Sequence, residues 1–185
     1  PQVEAFENDF AARVGASHAV ATTSGTTALH LALLAVGVLP GDEVITVSCS
    51  HISTANSIRH CGAVPVFVDI DPNSLNIDVA AVEAAVTSKT RAVLCVHQIG
   101  LPCALEALGA ICRRHDLKLV EDAACAIGSA VNVDDAWQAI GRPYGDAAVF
   151  SFHPRKVLTT GEGGLVTTAD AAVAETLRLL RNHGA

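Results

Sequence analysis

Phe150-Ser151-Phe152-His153-Pro154-Arg155-Lys156-Val157-Leu158-Thr159-Thr160-Gly161-Glu162-Gly163-Gly164 is the stretch that decides the fold. It is bracketed by two short apolar runs, Ala147-Ala148-Val149 and Leu165-Val166-Thr167-Thr168. Runs of that length and composition predict buried strands, so the segment between them is a connection. On its own, a lysine in a connection is a solvated surface group. Here Lys156 follows Ser151 by five residues and precedes a glycine-rich turn. Surface solubility explains that setting poorly. An amine held at the edge of a buried sheet loses solvation, which lowers its pKa and makes it a nucleophile.

Working outward, strands and helices alternate along the chain. Apolar positions at helical spacing (Val3, Phe6, Phe10, Val14) predict a first helix, and Ala19–Thr22 a first strand. Further strands are predicted at Val44–Val47, Val64–Asp69, Arg91–Val96 and Leu117–Val120. Helices are predicted from Ala28 to Ala35, from about Ser53, and at Val79–Val86, Ala104–His115 and Ala171–Leu180. Residues from Val131 to Gly145 read as a surface excursion carrying the single Trp137 and the single Tyr144. Near-continuously apolar strands alternating with helices imply a three-layer α/β/α domain with a mostly parallel sheet covered on both faces.

Composition agrees and excludes several functions. Half of the 185 residues are hydrophobic and 17% are charged, enough apolar material for one large core. The formal charge of −7 argues against nucleic acid as a partner. The sequence has no run of 18 apolar residues and no secretory leader pattern, so neither a membrane span nor secretion is expected. The six cysteines (Cys49, Cys61, Cys95, Cys103, Cys112, Cys125) form no C-x-x-C and are expected to be reduced core thiols of a cytoplasmic protein. No Cys/His spacing suggests a metal site.

In open parallel sheets, ligands gather at the carboxyl ends of the strands. Ser24-Gly25-Thr26, His51, His97, Asp122, Ser151 and Lys156 all fall at such ends. Ser24-Gly25-Thr26 lies between a strand and a helix, where backbone N–H groups and hydroxyls can cradle a phosphate or simply cap the helix. A phosphate cradle, an acid and a lysine are the components of a pyridoxal 5'-phosphate site: the lysine forms the Schiff base, the acid pairs with the pyridine nitrogen, and the cradle holds the phosphate.

These residues resemble the DegT/DnrJ/EryC1/StrS sugar aminotransferases, of the fold-type I class of pyridoxal phosphate enzymes. Ser24-Gly25-Thr26-Thr27-Ala28-Leu29, Pro40-Gly41-Asp42-Glu43-Val44-Ile45, Gly62–Asp69, Val96-His97 with Gly100 and Pro102, Glu121-Asp122-Ala123-Ala124, Phe150-Ser151-Phe152, Lys156 and Gly161-Glu162-Gly163-Gly164 occur in the family's order. The resemblance implies that Lys156 holds the cofactor and shuttles the proton, that Asp122 partners the ring nitrogen, and that Ser151, Gly25 and Thr26 hold the phosphate. Two positions depart. His51 stands where the family stacks an aromatic ring on the cofactor. Cys125 stands where it places Gln or His near the cofactor's ring oxygen.

The resemblance further implies a chain about half the family's length. Residues 1–185 are expected to be a large cofactor-binding domain, lacking part of the N-terminal segment and a small C-terminal domain, and to turn over weakly alone. The implied reaction is amino transfer, usually from glutamate, to a nucleotide-linked keto sugar by a homodimer. Three other functions compete. A related sugar dehydratase has histidine at the lysine position, which Lys156 opposes. A regulatory or binding module that lost the chemistry is opposed by Lys156, Asp122 and Ser151 together. A nicotinamide-binding domain needs G-x-G-x-x-G, which Thr23-Ser24-Gly25-Thr26-Thr27 does not supply.

Overall fold

The fold is seen in a computed structural model that describes residues 1–133 and 135–184. Position 134 of the predicted excursion and the last residue of the expected domain, position 185, lie outside the described residues. The elements are α1 (Gln2–Val14), β1 (His18–Thr22), α2 (Gly25–Ala35), β2 (Glu43–Val47), α3 (Ile52–His60), β3 (Val64–Val68), α4 (Val79–Ala85), β4 (Thr90–Val96), α5 (Leu105–His115), β5 (Lys118–Asp122), β6 (Ala130–Val133), β7 (Ala136–Ala139), β8 (Ala147–Ser151), β9 (Gly164–Thr168) and α6 (Ala171–Arg181).

Seven strands form one sheet in the order β1-β9-β8-β5-β4-β2-β3. Pairs β2–β3, β2–β4, β4–β5 and β5–β8 are parallel, while β9 runs antiparallel to both β8 and β1. The expected mostly parallel sheet is therefore present, with β9 alone reversed. That reversal has a local cause. The connection holding Lys156 returns the chain directly beside β8, pairing Ser151 with Gly164. Parallel neighbours would need a longer crossover.

Both faces of the sheet are covered, because strand side chains alternate between faces. Val93, Cys95, Leu119, Ala148 and Phe150 pack toward α1, α4 and α5 in one core. Ala92, Leu94, Val120, Ala147 and Val149 pack toward α2, α3 and α6 in the other. Phe150 and Phe152 meet α1, with ring centroids of Phe10–Phe150 at 4.9 Å and Phe6–Phe152 at 5.3 Å. Ser151, between the two phenylalanines, faces the α2 side for the same alternation reason.

The excursion holds β6 and β7 as a two-stranded antiparallel ribbon, with Trp137 exposed on it. One expectation needs correction. The cysteines are not all core thiols. Cys61, Cys95, Cys103 and Cys112 are buried, but Cys49 and Cys125 are exposed because each sits on a turn just past a strand. Among the described residues, no helix is long and apolar enough to cross a membrane.

Candidate active site

A cleft of about 480 Å³ opens over the carboxyl ends of β5 and β8 and the start of α2. Gly25, Thr26, His51, Cys125, Ser151 and Lys156 all line it. Its volume lies within the range typical of small-molecule sites, about 300–1,000 Å³. A wider groove of about 900 Å³ between α4 and α5 is lined by residues such as Val79, Leu101, Ala107 and Ile111. That groove takes in the start of α4 (Asp78, Val79 and Ala80) but no lysine.

The cradle is built by close packing. Ser24 adopts extended backbone as the N-cap of α2 and accepts the Thr27 N–H at 3.1 Å. The N–H groups of Gly25 and Thr26 belong to the first turn, which a helix cannot satisfy internally. Ser24 takes the third amide and leaves the first two at the cleft. Gly25 sits so near β8 that a β-carbon there would lie 2.7 Å from Ser151 Cβ. Gly164 is held similarly, since a β-carbon there would lie 2.2 Å from Ser24 O. Gly164 therefore lets β9 lie against the α2 cap, and Gly25 and Gly164 serve the same corner.

Asp122 ends β5 and is 4% exposed; it does not line the cleft itself, but Ala124, whose N–H it accepts, does. Its Oδ2 accepts the Thr54 hydroxyl at 3.0 Å and its Oδ1 accepts the Ala124 N–H at 3.2 Å. Burial raises its carboxyl above the ordinary range, while the Ala124 N–H, the Thr54 hydroxyl and the charge of Lys156 pull it down. A buried carboxylate with only two neutral donors is stabilised by any cation placed beside it. Thr54 was not legible as a site residue. Its signal was present, since three residues from His51 puts both on one side of the first turn of α3.

Lys156 is half-buried, and its Nζ donates to Cys125 Sγ at 3.1 Å. His51 is the N-cap of α3, and its Nδ1 accepts the Ser53 N–H at 3.2 Å. That bond fixes the ring at the cleft wall and leaves Nε2 as its protonated nitrogen when neutral. His153, Arg155 and Glu162, not anticipated as site residues, also line the cleft.

His97 does not belong with these groups, contrary to the expectation from its strand end. It is 1% exposed and turned to the other face of the sheet. There its Nδ1 accepts the Cys103 N–H and its Nε2 lies 3.1 Å from Glu121 Oε2. Glu121 Oε1 accepts the N–H groups of Tyr144 and Gly145. Consecutive acids thus split between partners: Glu121 braces His97, Tyr144 and Gly145, and Asp122 takes Thr54 and Ala124 beside the cleft.

This donor set fits a phosphorylated pyridine aldehyde. The Gly25–Ser151 corner suits a phosphate, Asp122 a protonated ring nitrogen, and the Lys156 amine an aldehyde. The family model for DegT/DnrJ/EryC1/StrS aminotransferases matches residues 1–185. The chain belongs to the DegT/DnrJ/EryC1/StrS aminotransferase family.

Within this family the chain is 50% identical to the spore coat polysaccharide biosynthesis protein SpsC of Bacillus subtilis, over 100% of this chain and 46% of that protein. It is 46% identical to the GDP-perosamine synthase of Caulobacter vibrioides, over 97% of this chain and 47% of that protein. The structure of DesV of S. venezuelae in complex with a ketimine intermediate superposes with a TM-score of 0.95, at 42% identity, over 100% of this chain and 49% of that one. The chain spans about half the length of the curated relatives it matches. The α/β/α architecture expected from the alternating pattern is the architecture of this aminotransferase family's solved members.

Proposed function

We propose that residues 1–185 are the large cofactor-binding domain of a pyridoxal phosphate-dependent sugar aminotransferase. Its full-length homodimer moves an amino group, from glutamate as donor, to a nucleotide-linked keto sugar. The observation that carries this function is the convergence of Lys156, Ser151 and the first turn of α2 in one cleft, with the buried Asp122 close enough to feel the Lys156 charge. The name of the 46%-identical GDP-perosamine synthase supports a nucleotide sugar as the substrate class.

Pyridoxal phosphate supplies, when bound, the electron sink on which the substrate carbanion is stabilised. The chain's own residues have four tasks. Lys156 would hold the cofactor's aldehyde through Nζ, and its amine is the group placed to act as general base. Asp122 would pair with the ring nitrogen, and a cation there would offset the burial that otherwise disfavours its charge. Ser151 Oγ and the N–H groups of Gly25 and Thr26 take the phosphate oxygens. His51 and Cys125 line the cleft, and by the family resemblance they would lie against the ring and near its oxygen.

The test is a visible spectrum of the protein with added pyridoxal phosphate, before and after borohydride, with Lys156→Ala alongside. A visible band that borohydride bleaches, with the reduced cofactor fixed on Lys156 in a peptide map, is the expected result. A band that is absent, or that survives Lys156→Ala unchanged, refutes the proposed function.

A further inference from the structure

The contact between Cys125 and Lys156 has chemistry of its own. Cys125 Sγ is the sole partner of Lys156 Nζ among the described residues, at 3.1 Å. The two residues are 31 positions apart, so tertiary structure alone joins them. Neither backbone is loose. Ala123 N–H donates to Val149 O and Ala126 N–H to Ala123 O around Cys125, and Lys156 N–H donates to His153 O. Cys125 is exposed in the cleft, open to a small oxidant.

We propose that Cys125 and Lys156 form an oxidation-sensitive pair, in which a hydroperoxide converts the thiol to a sulfenic acid and the Lys156 amine then closes a sulfur–nitrogen bond. In the first step the thiol and hydrogen peroxide give Cys125–SOH and water; sulfur is oxidised and the peroxide oxygen reduced. In the second, the Nζ lone pair attacks sulfur, the S–O bond breaks, and hydroxide leaves as water with one amine proton. The product is Cys125–S–NH–Lys156, two hydrogens lighter than the reduced pair. Sulfenic acids already condense with backbone nitrogen, and an amine is the better nucleophile. An external thiol reverses the link by attacking sulfur and releasing the amine.

The other cysteines cannot do this. Burial pushes Cys61 up to about 11 and Cys112 up to about 12, which keeps them as thiols. Cys95 and Cys103 are at most 2% exposed. Cys49 is exposed, but its Sγ takes the Gln98 side-chain amide, which is no nucleophile. The consequence is a lock on the cleft: the linked amine cannot take an aldehyde, and an amine already holding the cofactor cannot take sulfur. The sulfur–nitrogen chemistry stands without the proposed function, and the protective effect of cofactor rests on it.

The experiment treats the purified protein with hydrogen peroxide, with and without prior pyridoxal phosphate, and maps peptides without reductant. The expected product without cofactor is a cross-link of the peptides containing Cys125 and Lys156, lighter by about 2 Da and undone by dithiothreitol. Cys125→Ser and Lys156→Arg should each abolish it, and Cys49→Ser should not. Oxidation of Cys125 to sulfinic or sulfonic acid with Lys156 unmodified overturns the proposal. So does a cross-link that persists in Lys156→Arg. A cross-link that forms regardless of pyridoxal phosphate, with no cofactor on Lys156, leaves the pair standing and refutes the proposed function. Cofactor on Lys156 without any cross-link does the reverse.

Discussion

Gly25→Ala tests how the phosphate corner is built. Gly25 is the first residue of α2, and its new methyl would lie 2.7 Å from Ser151 Cβ, 3.0 Å from Ser151 Oγ and 3.4 Å from Ser151 Cα. The obstacle is the root of a side chain on a packed strand, so no rotamer change removes it. Helix propensity works the other way and favours alanine by up to about 1 kcal/mol. Overpacking costs about 1–3 kcal/mol, and the close approach to a strand Cβ places this site in the upper half of that range. The net expectation is a loss of about 1–2 kcal/mol, which lowers Tm by about 2–8 °C in a domain of this size. Urea and thermal unfolding of the cofactor-free protein measure it. Ser151→Gly removes the opposing β-carbon. The double variant should therefore recover stability, with a coupling of about 1 kcal/mol or more, yet hold phosphate no better, since the hydroxyl is gone. A Gly25→Ala protein that melts at or above the parent temperature refutes the packing. Strictly additive losses in the double variant refute it equally.

Asp122→Asn should raise the stability of the cofactor-free protein at neutral pH while weakening retention of pyridoxal phosphate. Burial raises the folded carboxyl, so Asp122 contributes stability below the ordinary aspartate value near about 4 and loses it as pH rises through the folded value. The difference between the two proteins in urea melts should grow over that window, and a difference flat with pH sinks the assignment. Glu121→Leu should cost about 3–5 kcal/mol, because it strands the buried His97 Nε2–H and the N–H groups of Tyr144 and Gly145; a loss under about 1 kcal/mol would mean that water replaces the carboxylate. Thr54→Val removes the hydroxyl from Asp122 Oδ2 and should cost about 1.5–3 kcal/mol at neutral pH, where that oxygen is charged. Its loss should shrink as pH falls and Asp122 takes a proton, which a titrated melt would reveal.

Much of the molecule was legible before folding because its signals are local. Short apolar runs alternating with helical spacing gave the layers. Phe150-Ser151-Phe152 shows why: in a strand, alternation alone sends two phenylalanines to α1 and the serine to the cleft. Glu121-Asp122 obeys the same rule: the resemblance picked out Asp122, and the partners of Glu121 on the far side, His97, Tyr144 and Gly145, came only with the tertiary structure. His97 shows the limit most clearly. Its strand-end position suggested the cleft, but a buried partner on the far face, Glu121, captured it. Cys125 could be matched to a cofactor position in sequence, but its contact with Lys156 could not.

The sequence alone determined the fold class and the family, because short apolar strands, helical spacing and glycine turns are properties of neighbouring residues. Tertiary structure decided what those groups meet. The reversed β9 brings Gly164 against the Ser24 cap, β8 brings Ser151 against Gly25, and α3 brings Thr54 to Asp122. Those distances depend on packing of elements far apart in the chain. The carboxylate raised by burial and the amine resting on a thiol are both consequences of that packing.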